Sequence, residues 1–83
     1  MNVDFYTKKG CPLCDKGYAL LKELADSYSL VIQCHDIYQD DVLLEKYQLK
    51  IPVVCIDDQE IGYGLLEKES LQKQIERIRS IKQ

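Results

Sequence analysis

The 83-residue sequence predicts one α/β domain, a four-stranded mixed sheet flanked by three helices in the order β-α-β-α-β-β-α. Three observations carry this. Apolar residues switch repeatedly between strand-like runs and helix-like three- and four-residue spacing. The last two strand-like runs are joined by a two-residue acidic turn, the signal of a hairpin. A chain of this length buries only about 60 to 65% of the surface its unfolded form exposes, so there is room for a single core. With 46% hydrophobic and 30% charged residues and only 4 Gly and 2 Pro, the composition is that of a folded chain, read as one domain over residues 1–83.

Val3 to Thr7 is aromatic and β-branched and stops at Lys8-Lys9-Gly10, giving the first strand. Pro12 suits a first helical turn, and Leu13, Gly17, Leu20/Leu21, Leu24 and Tyr28 continue an apolar helix face. Leu30 to Cys34 is the second strand. Asp40-Asp41 then caps a short helix carrying Val42, Leu43, Leu44 and Tyr47. Val53 to Ile56, the turn Asp57-Asp58, and Gln59 to Ile61 ending at Gly62-Tyr63-Gly64 form the hairpin. The closing helix places Glu67 and Glu69 in its first turn, Leu71, Ile75 and Ile78 on one face, and Arg77, Arg79 and Lys82 near its end. The first crossover is expected to be right-handed.

Eleven basic against fourteen acidic residues give a formal net charge of -3, which argues against binding nucleic acid or an anionic membrane through bulk charge. The longest apolar stretch, Ile51 to Ile56, is far shorter than the roughly 20 residues of a spanning helix. The chain opens with Asn2 and Asp4 rather than a charged and then apolar leader, so the expectation is a soluble cytoplasmic protein. Four cysteines would suit a secreted disulfide scaffold, yet Cys34 and Cys55 fall within strand-like runs and are expected to be core thiols.

Cys11 and Cys14 form a Cys-x-x-Cys pair where the first strand passes to the first helix. With Cys11 as N-cap and Pro12 at the first helical position, backbone N–H groups without helical partners face the Cys11 sulfur and favour its thiolate. A lysine, Lys8 or Lys9, acts in the same sense, and Asp15 opposes it. Strand neighbours face opposite ways, so only one of the two lysines can look at Cys11, and Lys9 is expected to be solvated. Residues three apart on a helix share a face close enough for a disulfide, so Cys14 can resolve what Cys11 attacks. Cys11 is expected to be exposed and Cys14 shielded. A zinc site would need Cys34, His35 or Cys55 as well, but Cys34 and His35 are strand neighbours pointing to opposite faces, so no metal is expected.

These residues bring the chain to a known pattern. Cys-Pro-Leu-Cys resembles the Cys-Pro-Tyr-Cys of glutaredoxins, Lys8 stands where they carry a lysine three residues before the first cysteine, and Lys50-Ile51-Pro52 resembles their Thr-Val-Pro. Over essentially its whole length the chain resembles the glutaredoxin-like branch of the thioredoxin-fold family. The resemblance implies a thioredoxin-like fold, a cis bond before Pro52, and a residue there, Ile51, that offers its backbone N–H and C=O to substrate. It implies Cys11 as nucleophile and Cys14 as resolving thiol, with Lys8, Pro12, Leu13, Ile51, Pro52 and Tyr63 at the substrate. Departures accompany it: Gly62-Tyr63-Gly64-Leu65 replaces a Gly-Gly and a polar residue that hold glutathione, Leu13 replaces a tyrosine, and the chain has no tryptophan.

The function expected is a glutaredoxin-like thiol-disulfide oxidoreductase. Its partners are a disulfide-containing protein or low-molecular-weight thiol and a reductant, either glutathione or a thioredoxin-reductase-like system. It is expected to act as a monomer and without a resident cofactor, Tyr63 and Leu65 placing glutathione in question. The alternative is a thiolate module that binds an iron–sulfur cluster or metal without catalysis. Of the remaining candidates, Asp4 is expected to be a strand-edge carboxylate and His35 a surface or hydrogen-bonded residue, while Tyr63 lines the groove or packs at the hairpin exit.

Overall fold

The computed structural model describes residues 1–81. Strands β1 (Asn2–Thr7), β2 (Val31–Asp36), β3 (Val53–Ile56) and β4 (Gln59–Tyr63) alternate with helices α1 (Pro12–Tyr28), α2 (Asp41–Tyr47) and α3 (Lys68–Ile81). The strand order is β2-β1-β3-β4, with β1 parallel to β2 and antiparallel to β3, and β3 antiparallel to β4. A 3₁₀ turn at Ile37–Gln39, which the apolar pattern does not announce, carries the chain from β2 to α2.

Alternation along the strands builds two cores of unequal size. Val3 and Phe5 of β1 and Val54 and Ile56 of β3 face Leu21 and Leu24 of α1 and Leu71, Ile75 and Ile78 of α3. On the opposite face Val53 and Cys55 pack with Ile37 and Tyr47, with Tyr6 and Leu43 against them. Two long helices therefore cover one side of the sheet and the short α2 the other. The helices stop and start where their ends are satisfied: Ser29, left-handed at φ 55°, ends α1 by donating its N–H to the Ala25 carbonyl, and the Asp40 carboxylate accepts from the Val42 N–H at the start of α2. The Asp57-Asp58 turn has positive φ at both residues, as a two-residue hairpin turn requires. Glu67 lies just before α3 rather than inside its first turn, its carbonyl accepting from the Leu71 N–H. Lys82 lies outside the described residues.

Three expectations are corrected. Asp4 is not on a sheet edge: β1 is an interior strand, and Asp4 meets His35 of β2 at 2.8 Å. Cys34 is not a core thiol but exposed, because β2 is the outermost strand and the helices cover the centre of the sheet. Cys55 is buried. Cys11 is not an exposed tip; it is only 8% exposed, for a reason given by its capping geometry below.

Candidate functional site

The sheet registers bring one end of four strands together. Thr7 lies beside Asp36, Tyr6 beside Val53, and Val53 beside Tyr63, so the segments that follow β1 and precede β3 meet at one end of the sheet's strands. There Gly10, at φ 73° with nothing near the place of a Cβ, turns the chain from β1 into α1. Cys11 follows in extended conformation as the N-cap and Pro12 as the first helical residue.

That local geometry fixes the thiols. The Cys14 backbone N–H, one of the donors a helix start leaves without an intrahelical partner, donates to the Cys11 Sγ at 3.2 Å. A sulfur drawn back over the first turn in this way is partly covered, which accounts for the low exposure of Cys11; Cys14 is lower still at 2%. Both are free thiols. Burial first, and then hydrogen bonding with Cys11, push the Cys14 thiol above the ordinary cysteine value, against smaller opposing effects of Thr7 and the Lys8 backbone. Cys14 therefore keeps its proton while the pair is reduced.

Of the other expected residues, Lys8 shares a cavity wall with Cys14. Leu13 is exposed, Pro12 is exposed, and Lys8 is half-buried. The Ile51–Pro52 bond is cis and Pro52 is buried at the start of β3. The resemblance implied an Ile51 N–H open to substrate, but it donates to the Tyr47 carbonyl at 3.2 Å. On the hairpin side the Gly64 N–H is shared between the carbonyls of Lys50 at 3.1 Å and Pro52 at 2.9 Å, tying the proline loop to the end of β4. Tyr63 stands on the rim, 57% exposed, with the Lys50 ammonium 4.7 Å from its ring centre. Lys50 also donates to both carboxylate oxygens of Glu60 at 2.9 Å, which raises its pKa from the ordinary lysine value. Leu65 is exposed beyond it.

Two features were not anticipated. The Lys50–Glu60–Tyr63 cluster follows from the hairpin register, which no single residue announces. The second is a cavity of about 390 Å³ on the α1 side of the sheet, lined by Phe5, Thr7, Lys8, Lys9, Cys14 and Cys34 among others. Lys9, expected to be solvated, is exposed and also borders this cavity. Strand alternation places Phe5, Thr7, Cys34 and Asp36 on one face, so the signal was present, but only the position of β2 in the sheet leaves that face open. Asp4 and His35 lie elsewhere: Tyr6 stacks on His35 and Tyr47 on the α2 side, so the Asp4–His35 pair has the sheet between it and the thiols. Among the described residues, no group of three or more His, Cys, Asp or Glu side chains is placed to hold a metal ion, and no helix is long and apolar enough to cross a membrane.

Residues 2–76 match the model of the family described as Glutaredoxin-like domain (DUF836). The chain is 32% identical to glutaredoxin 3 of Escherichia coli over 62 residues, covering 74% of this chain and 75% of that protein. Among solved structures it is similar in fold to thioredoxin 1 of Thermosipho africanus, with a TM-score of 0.72 at 18% identity over 99% of this chain and 98% of that one. It is also similar to glutaredoxin 1 of Francisella tularensis, with a TM-score of 0.51 at 21% identity over 95% and 96%. With the strand order, the capped Cys-x-x-Cys and the cis proline loop in place, the chain belongs to the glutaredoxin-like family of the thioredoxin-fold superfamily.

Proposed function

We propose that the protein is a dithiol-disulfide oxidoreductase in which Cys11 attacks and Cys14 resolves. The observation that carries this reading is the asymmetry of the pair: Cys11 sits at the helix tip with a backbone N–H on its sulfur, and Cys14 lies one turn deeper and more fully covered. Cys11 Sγ attacks one sulfur of a substrate disulfide, forming Cys11–S–S–R and expelling the other half as a thiolate. Cys14 then loses its proton and attacks Cys11 Sγ, closing the intramolecular disulfide and expelling the second half. Two thiol protons and two electrons pass from the pair to the substrate, leaving two substrate thiols.

Leu13, the Ile51 carbonyl and Tyr63 are the groups that a substrate meets around Cys11. Pro52 is buried beside Ile51 in the chain, and Lys8 contributes positive charge. Exposed Tyr63 and Leu65 favour a thioredoxin-reductase-like system over glutathione as the reductant, in a reducing compartment such as the cytosol. No resident cofactor enters this chemistry.

The test is turnover of a disulfide substrate with glutathione and with a thioredoxin-reductase system in parallel. The faster system names the reductant. Cys11→Ser is expected to lower turnover by at least ~10³-fold with either, since a hydroxyl cannot take the place of the attacking thiolate. A Cys11→Ser variant that retains disulfide-reductase activity contradicts the role given to Cys11.

A further inference from the structure

The hairpin carries an ion pair that the thiol chemistry does not use. In β4, Glu60 lies opposite Cys55 and Gly62 opposite Val54, so Ile61 is an extra residue and the strand bulges there. Residues three apart on a regular strand face opposite ways. The bulge reverses that for Glu60 and Tyr63, which lie opposite Cys55 and Val53, two residues on one face of β3. Lys50 reaches both from the segment between α2 and β3. Its ammonium donates to the two carboxylate oxygens of Glu60 at 2.9 Å each and stands 4.7 Å from the centre of the Tyr63 ring. The root of the side chain is fixed as well: the Lys50 N–H donates to the Tyr47 carbonyl at 2.9 Å, and the Lys50 carbonyl accepts from the Gly64 N–H at 3.1 Å. Tyr63 remains 57% exposed, and Tyr6, at the end of β1 that leads to Cys11, shares with it the neighbour Val53.

From this juxtaposition we infer that Lys50 and Glu60 are positioning residues that hold the Tyr63 ring as a neutral aromatic wall, selecting disulfides with an aromatic side chain beside the half-cystine. The inference rests on the reading of Cys11 as the attacking thiol and adds to it the residue that neighbours the substrate sulfur. A side chain that stacks on a ring already fixed in place costs less ordering than one that stacks on a free ring. Lys50 alone would attract a carboxylate. With Glu60 on it, two of its donors are engaged and its charge is matched, so an anionic disulfide gains nothing at the hairpin. Glu60 thus acts twice through Lys50: it steadies the ring, and it withholds the ammonium from anions. The bulge at Ile61 is what makes this possible, because without it Glu60 and Tyr63 point to opposite faces.

The experiment uses the reduced full-length protein and the symmetrical disulfides of three N-acetylated, C-amidated dipeptides, Phe-Cys, Gly-Cys and Glu-Cys. Closure of the Cys11–Cys14 disulfide is followed in a single turnover by acid quench and mass mapping, and each rate is divided by that of the same peptide with mercaptoethanol. The Phe peptide is expected to react roughly fivefold faster than the Gly peptide, the effect of one aromatic pair. Glu60→Gln is expected to cut that preference to roughly twofold and to speed the Glu peptide roughly threefold relative to the Gly peptide, because the ammonium is released. Lys8 acts on the Glu peptide alike in both proteins, and structural damage slows reactions without speeding one of them. Lys50→Arg, which keeps a bidentate pair and stacks on the ring, is expected to retain the Phe preference. Should Glu60→Gln not fold, Lys50→Met is expected to cut the Phe preference to roughly twofold without speeding the Glu peptide. Equal rates for the Phe and Gly peptides on the wild type, wild-type ratios in Glu60→Gln or Lys50→Met, or a lost preference in Lys50→Arg overturns this inference and leaves the role of Cys11 standing. No closure with any peptide overturns the role of Cys11 and this inference with it.

Discussion

Cys14 serves the pair through two atoms with opposite consequences. Its backbone N–H donates to the Cys11 sulfur, while its own sulfur is buried and holds its proton above the ordinary cysteine value. Only a thiolate attacks, so a raised pKa moves the resolving step toward high pH. Once Cys11 is tied to substrate its hydrogen bonding with Cys14 changes, but burial, the larger cause, stays. In single-turnover stopped-flow experiments on the wild-type protein, release of the second substrate thiol is therefore expected to accelerate with pH and to be still climbing beyond the ordinary cysteine value of 9.0. A rate already flat between about pH 7 and 9 would show that Cys14 is not held protonated. Single residues also show where sequence reading stopped. The N-cap role of Cys11 was legible from Pro12 beside it, but the covering of its sulfur was not, because that depends on where the N-cap backbone directs the side chain.

The elements were legible wherever a periodic run ended in chemistry that only one structure satisfies. α1 runs from the Cys11-Pro12 boundary to Tyr28, and the hairpin turns at Asp57-Asp58, because a helix start, a proline and a two-residue acidic turn each allow few alternatives. β2 extends two residues further than its apolar run, through His35 and Asp36, because pairing with Tyr6 and Thr7 continues the ladder past the last apolar side chain. The position of β2 in the sheet was beyond local pattern. Treating it as a core strand buried Cys34 on paper, and its outermost place opens that thiol to the cavity. The end of α1 offers a test at this scale. Ser29 adopts a left-handed conformation that costs an L residue about 1–2 kcal/mol, part of which glycine recovers after its greater entropy loss. Ser29→Gly is expected to stabilise the fold by about 0.5–1 kcal/mol, read from the urea midpoint at unchanged slope. A destabilised variant would mean that the serine side chain supports the cap.

At the scale of the molecule, two long helices on one face of a small sheet place most of the apolar burial in one cluster, and the short α2 leaves the other face thinly covered. A chain of this size has about 4 to 12 kcal/mol of net stability. Ile75, fully buried where α3 meets the sheet, is expected to lose about 2–5 kcal/mol on truncation to alanine, a large share of that margin. Chemical denaturation of Ile75→Ala with a loss below about 1 kcal/mol would show that α3 contributes less than its burial implies. The same architecture sets one end of the strands around the thiols, and the account rests on their order of action. It is tested most directly by treating the Cys14→Ser protein with a disulfide substrate and locating the trapped mixed disulfide by mass spectrometry. The account predicts that the substrate is held on Cys11, stably, because the thiol that would release it is gone. Absence of trapped substrate on Cys11, or no trapped species while the substrate is still turned over, would contradict it.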